Sequence, residues 1–360
     1  MLRQMKDRLL GGAAVMVDRA VTLAVEAQSR SGRGPRIAVS HEARVAFLER
    51  IALECPSEPA LSLFAEPAPV TPALRRVREE RGLSVFDLSW PSQYVPCLAS
   101  YRERYTRTRE NELAAARFFR RASGPARPVV VIVHGYMSGS FPIEERLWPI
   151  QALDELGFDS LLFVLPFHGL RGSPKLGLVP EFPGTDPRMS IEGFLHAVFD
   201  LRACVRWLRA AGHPSVGLFG MSLGGYTAAL AATVEPDLAF LVPLVPLASL
   251  ADFAREQGSL SAPPAQALLE HQLLERIYRP ISPLSLPSRV PPERVLVIGA
   301  RADRVTPIAH ARRLATHFSA PLVAFRGGHL LQLGRRESFE RVYDLLRSVR
   351  AAQGSARRAT

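Results

Sequence analysis

The segment Gly220-Met221-Ser222-Leu223-Gly224-Gly225 has the pattern G-x-S-x-G, with an apolar run before it and an alanine-rich stretch after it. A buried strand running straight into a helix is the setting in which a sharp turn lifts a serine clear of a sheet. Gly220 and Gly224 remove side chains that would collide where strand and helix approach. Ser222 then lies at the positive end of the following helix. A serine hydroxyl is a weak nucleophile, so acyl transfer from it needs a base, an acid to orient that base, and donors for the oxyanion. Two later segments supply these residue types. Asp303 follows the apolar run that ends at Gly299, and His329 follows the next one in Gly327-Gly328-His329. Each residue has an ordinary alternative use: Asp303 as a helix cap or surface ion pair, His329 as a loop histidine, Ser222 as a small turn residue. The order serine, acid, histidine at three strand ends favours nucleophilic catalysis over those alternatives.

Strand ends require a sheet, and the chain from about residue 125 supplies one. Pro128–His134 is a continuous β-branched run, the pattern of a strand buried on both faces. Further strands are predicted at Leu161–Leu165, Ser215–Gly220, Phe240–Val245, Arg294–Gly299 and Pro321–Phe325. Helices are predicted between or after them at Ile143–Leu156, Ser190–Ala211, Ser222–Thr233, Pro307–Phe318 and Arg336–Ala351. This alternation implies an α/β fold with a mostly parallel sheet flanked by helices. Residues 246–292 interrupt it with a helix-like Pro264–Tyr278 and a Pro/Ser/Leu-rich exit. An insertion there would overlie the carboxyl edge of the sheet, so it is read as a lid.

The chain has 360 residues, 47% hydrophobic and 22% charged, the balance of a globular protein. Its formal charge is +11, and only Lys6 and Lys175 among the cations are lysines. Residues 1–122 are expected to form a helical or irregular extension packed on the core, with helix-like stretches at 4–28 and 41–55 and a Pro-rich connection from Pro56 to Pro72. Tyr101 to Arg121 is a basic stretch with arginine and tyrosine interleaved at Tyr101, Arg102, Arg104 and Tyr105, but no zinc spacing, helix-turn-helix or RNA-binding signature accompanies them, so nucleic acid is not expected as a partner. The apolar stretch Leu9–Val17 is broken by Asp18 and Arg19, against a signal peptide, and no apolar run is long enough to cross a membrane. That segment is read as an amphipathic helix on the protein's own body, with a peripheral membrane contact left open. Cys55, Cys97 and Cys204 are scattered without metal spacing, which favours a reducing, cytoplasmic location.

On these motifs, residues 125–350 resemble an α/β-hydrolase, and 123–352 are taken as the catalytic domain. The arrangement is similar to a bacterial branch of the family, distantly like a mitochondrial one. His134-Gly135-Tyr136-Met137 matches the family's His-Gly motif. The resemblance implies an oxyanion hole from the backbone N–H groups of Tyr136, with Met137 beside it, and Leu223. Gly135 and Gly139 would let the backbone approach a substrate, and His134 would organise the loop rather than act as a base. Leu165-Pro166-Phe167-His168-Gly169 resembles the loop after the next strand, with Pro166 where the family usually has an acid. The expectation is then a serine hydrolase with no cofactor or metal, cleaving a small or lipid-like carboxylic ester as an esterase or lipase would. The apolar residues Leu241, Val245, Leu247, Phe253, Leu268, Leu269 and Leu273 favour an apolar acyl group unless they are simply core. An acyltransferase or thioesterase with the same triad, or a non-catalytic binding module on the same scaffold, are the alternatives.

Overall fold

Val129–Val133 is Val-Val-Val-Ile-Val, with every residue buried; alternate side chains enter two different apolar clusters, one on each face. Such a strand is stable only in the middle of a sheet covered on both sides. The computed structural model, which describes residues 15–16, 18, 40–56, 58, 61–172, 179–261 and 263–358, places it there. The strands are β1 (Ala73–Glu80), β2 (Leu83–Pro91), β3 (Leu113–Arg121), β4 (Val129–Val133), β5 (Asp159–Val164), β6 (Val216–Met221), β7 (Leu238–Leu244), β8 (Val297–Ala300) and β9 (Leu322–Phe325). They form one sheet in the order β1-β2-β3-β5-β4-β6-β7-β8-β9. From β5 to β9 all neighbours are parallel, whereas β1, β2 and β3 pair antiparallel with one another and β3 antiparallel with β5.

Among the described residues the helices longer than the single turn Arg102–Tyr105 are α1 (His41–Glu54), α2 (Phe141–Leu147), α3 (Ile150–Glu155), α4 (Pro187–Ala210), α5 (Leu223–Val234), α6 (Leu250–Glu256), α7 (Pro264–Tyr278), α8 (Ile308–His317) and α9 (Arg335–Arg358). Ile51, Phe194, Leu230 and Leu314 from α1, α4, α5 and α8 enter one cluster, and Phe141, Leu153 and Phe339 from α2, α3 and α9 enter the other. The predicted helix over 143–156 is two helices, because Pro149 cannot continue the first one's hydrogen-bond ladder. Helix α4 starts three residues earlier than expected, with Asp186 accepting from the Arg188 N–H and Pro187 at the first turn. The insertion 246–292 holds a second helix, α6, that the sequence reading missed.

The larger difference lies before residue 122. Three strands of the sheet occupy the stretch expected to be helical or irregular, and Phe118 pairs with Leu161 across β3 and β5. The turn between β1 and β2 is Arg81-Gly82, both at positive φ (50° and 77°), the two-residue hairpin geometry whose twist matches flanking strands. Strand β1 is masked in sequence because it is an exposed edge, Ala-Leu-Arg-Arg-Val-Arg-Glu-Glu, without an apolar face. Four arginines of 101–121 are drawn into ion pairs: Arg104 with Glu181, Arg107 with Glu103, Arg117 with Asp87 and Glu145, and Arg121 with Asp154. The predicted helix 4–28 lies outside the described residues except at residues 15, 16 and 18, which are helical. Among the described residues no helix is long and apolar enough to cross a membrane, and the three cysteines are unpaired.

Candidate active site

Strand β6 ends at Met221 and helix α5 begins at Leu223, so one residue makes the whole turn. That residue, Ser222, has φ 56° and ψ −114°, a conformation an L-residue holds only when its surroundings fix it. The surroundings do so at close quarters. A methyl group on Gly224 would lie 2.1 Å from the Val133 carbonyl oxygen, and one on Gly220 would lie 2.1 Å from the Gly224 oxygen. Only glycine lets β6, α5 and the end of β4 approach this closely. The Ser222 N–H donates to Leu244 O at 2.9 Å, tying the turn to β7.

The other two predicted residues arrive from the ends of β8 and β9. His329 Nε2 lies 2.9 Å from Ser222 Oγ, and His329 Nδ1 lies 2.8 Å from Asp303 Oδ2. All three residues are buried, at 8% exposure for Ser222, 5% for Asp303 and 4% for His329. Asp303 Oδ1 accepts the backbone N–H groups of Val305 and Thr306 at 2.9 and 2.8 Å. The turn-capping role weighed for Asp303 and its contact with His329 therefore coexist, one oxygen to each. In this geometry Nδ1 carries a proton toward the carboxylate, leaving Nε2 to accept from the serine hydroxyl.

Thr306 is a residue that the sequence reading missed. Its hydroxyl lies 3.2 Å from Asp303 Oδ2, 3.0 Å from His329 Nδ1 and 3.0 Å from the Val245 carbonyl oxygen. Val245 has a positive φ of 40° immediately after β7, unusual for a β-branched residue. Asp18 was also missed as a site residue. It is fully buried, and its carboxylate accepts backbone N–H groups from Arg304, His329 and Leu330. Proximity to Asp303 could have signalled Thr306, but nothing local in the sequence signals Asp18.

The His134-Gly135-Tyr136-Met137 segment forms the turn after β4. A methyl group on Gly135 would lie 3.6 Å from Ser222 Cβ, so this turn runs alongside the serine. His134 is buried; its Nδ1 pairs with Gly135 O at 2.7 Å, and its Nε2 accepts the Leu165 N–H at 3.0 Å. Burial pushes the His134 imidazole below its usual pKa, and both nitrogens are spent on holding loops. Met137 takes φ 59°, and the Tyr136 hydroxyl donates to Pro180 O at 3.5 Å. Leu223 is the first residue of α5, so its N–H is among those with no acceptor inside the helix. His168 stands beside His134 with ring centroids 5.1 Å apart, and burial holds its pKa well below the usual value.

Among the described residues, Asp252, His271 and Glu275 bring ligand atoms within 4.8 Å of one another. Asp252 is already paired with Arg255, Arg313 and His271, and two guanidinium groups oppose a cation there. A cleft of about 470 Å³ between α7 and α8 is lined by Tyr226, Arg276, Arg279 and Arg313 and by none of Ser222, Asp303 and His329. Of the apolar residues considered for an acyl site, Leu241, Val245 and Leu247 are core, whereas Leu268 and Leu269 are 56% and 40% exposed. The core reading holds for the first three.

Residues 189–282 match the family model described as X-Pro dipeptidyl-peptidase (S15 family). Two uncharacterised proteins of Mycobacterium tuberculosis, from strains CDC 1551 and H37Rv, are each 35% identical over 287 residues, 77% of this chain and 66% of their own length. The chain thus spans just under two thirds of those relatives. Among solved structures, acetyl xylan esterase 1 from Thermoanaerobacterium sp. JW/SL YS485 superposes with a TM-score of 0.54 at 15% identity, over 86% of this chain and 94% of that one. The acetyl xylan esterase from Paenibacillus sp. R4 does so with a TM-score of 0.51 at 15% identity, over 86% and 96%. Identity at that level speaks to architecture alone. With the sheet order, the strand-to-helix turn at Ser222 and these superpositions together, the chain belongs to the α/β-hydrolase fold.

Proposed function

We propose that this protein is a serine hydrolase that cleaves a carboxylic ester through an acyl-enzyme. The observation that carries the proposal is the unbroken hydrogen-bonded line from Ser222 Oγ through both nitrogens of His329 to Asp303. In this reading His329 takes the proton of Ser222 as the hydroxyl attacks the ester carbonyl, and the C–O bond to the alcohol breaks as His329 returns that proton to it. Water, deprotonated by the same imidazole, then attacks the acyl-serine and frees the acid. Asp303 keeps the imidazole in its productive tautomer and stabilises the imidazolium. The backbone N–H groups of Tyr136 and Leu223 are the proposed oxyanion donors, with His134, Gly135, Met137, Gly220 and Gly224 shaping the turns that carry them. The chemistry calls for no cofactor or metal. Residues 246–292 are the proposed lid: the segment starts beside the nucleophile, where the Leu247 N–H reaches Ser222 O at 3.3 Å.

The fold's esterase-named neighbours favour an ester over an amide. A peptidase reading is kept because the S15 peptidase model matches the stretch that carries Ser222. The test is labelling by a fluorophosphonate, which reacts only with an activated serine, together with hydrolysis of short and long acyl p-nitrophenyl esters and of an X-Pro p-nitroanilide. Wild type should label and turn over an ester, and Ser222→Ala should lose the label and roughly 10⁴-fold or more in rate. Equal rates in the two proteins would sink the proposal; turnover of the anilide alone would move it to the peptidase.

A further inference from the structure

Asp18 lies 311 positions from His329 along the chain, yet its carboxylate is buried against the loop that carries that histidine. Oδ2 accepts the His329 N–H at 2.8 Å and the Arg304 N–H at 3.3 Å, while Oδ1 accepts the Leu330 N–H at 3.0 Å. Two consecutive amides turned toward one anion form a nest, and a buried carboxylate persists only where such donors replace its water. The donors come from both loops that matter. Arg304 follows Asp303, and His329 is the residue whose imidazole faces Ser222. Beside this carboxylate, the two loops are joined by the Arg301 N–H to Phe325 O bond at 2.9 Å, by the Ala302 N–H to Gly327 O bond at 3.1 Å and by contacts of the site residues themselves. An apolar residue at position 18 would leave the buried His329 amide and the part-buried Arg304 and Leu330 amides without that acceptor.

We propose that Asp18 is a positioning residue: its carboxylate ties the acid and base loops together and fixes the backbone of His329, so that Nε2 stays aimed at Ser222 Oγ. The proposal rests on the reading of Ser222 and His329 as nucleophile and base. Asp18 touches no substrate in this scheme and acts through the loop alone. Its alternative is a purely structural anchor for the N-terminal segment.

The full-length chain and its Asp18→Ala and Asp18→Asn variants are compared for kcat and KM on a short p-nitrophenyl ester, for the rate of fluorophosphonate labelling, and for thermal unfolding. Displacing a catalytic group by an ångström or less costs roughly 10- to 100-fold. Asp18→Ala should therefore lose that much in kcat and in labelling rate, with KM within twofold of wild type and the fold intact. Asp18→Asn keeps one acceptor oxygen, which can serve the Arg304 and His329 amides but not Leu330, so its kcat should lie between the two. The proposal is overturned if Asp18→Ala turns over like wild type, if activity falls only with the folded fraction, or if Asp18→Asn is no better than Asp18→Ala. Failure of the wild type itself to label would instead remove the serine-hydrolase reading, which keeps the two failures distinct.

Discussion

Thr306 sits between Asp303, His329 and the carbonyl of Val245, and its single hydroxyl proton can serve only one acceptor at a time. Val245 is held at φ 40°, a strain of about 1–3 kcal/mol, with its carbonyl turned toward that hydroxyl. The arrangement braces the Asp303 carboxylate from the side opposite its own backbone N–H bonds. Thr306→Val keeps the shape and deletes the hydroxyl, so it should lower kcat by roughly tenfold and stability by about 1 kcal/mol. Steady-state kinetics on an ester and a thermal melt check both; kcat within twofold of wild type would mean the hydroxyl only fills space. Ser222 and His329 were legible because each lies beside glycines after an apolar run, and Asp303 because it lies shortly past one. Thr306 and Asp18 were not, since a hydroxyl or carboxylate acquires its meaning from what the fold brings to it.

Between elements, a buried polar network fastens helix α4 to two loops. Arg171, without exposed surface, donates to Asp200 at 2.7 Å, and Ser92 donates to the same carboxylate at 2.6 Å. Tyr105 and Asn111 reach His196, one turn before Asp200 on α4. Burial alone would raise the Asp200 pKa, but His196 and the Arg171 guanidinium outweigh it and hold the group down at about 2. An unfolded aspartate titrates near pH ~3.9, so the folded state binds its proton less readily. The stabilisation, roughly 2–3 kcal/mol, is fully present above about pH 4 and is lost as pH falls through about 2. Asp200→Asn should melt below wild type at pH 7, because Arg171 loses its buried partner. That gap should close between about pH 4 and pH 2, and melting curves across this window test it. A gap constant with pH would place the effect in packing instead. Glu270 plays a similar joining role, accepting from His41 and Arg44 of α1 and from Ser261, so the N-terminal helix is fastened to the proposed lid.

For the molecule as a whole, the segment before residue 122 is continuous with the sheet. Trp90 is nearly fully buried 6.5 Å from Phe163, and β3 covers the side of β5 that would otherwise be an open edge. An uncovered, fully buried strand edge invites pairing with other chains. Removing residues 1–122 should therefore yield aggregated or unfolded material, not a free-standing catalytic domain. Size-exclusion chromatography and a denaturant titration of residues 123–360 check this; a monomer with a cooperative transition would show the boundary to be a real one.

The sequence by itself determined the parallel half of the sheet, the turn at Ser222 and the identity of the three residues that meet there. Those signals are local: continuous β-branched runs, glycines at a close approach, and short loops at strand ends. It did not determine that β1 extends the sheet, because this exposed edge strand carries charge on both faces and loses the alternation that marks a strand. Only the tertiary structure decided the placement of Asp18, which reads in sequence as a charge breaking an apolar helix. A buried carboxylate is stable there because the amides of Arg304, His329 and Leu330 converge on it, and such convergence of distant backbone leaves no pattern along the chain.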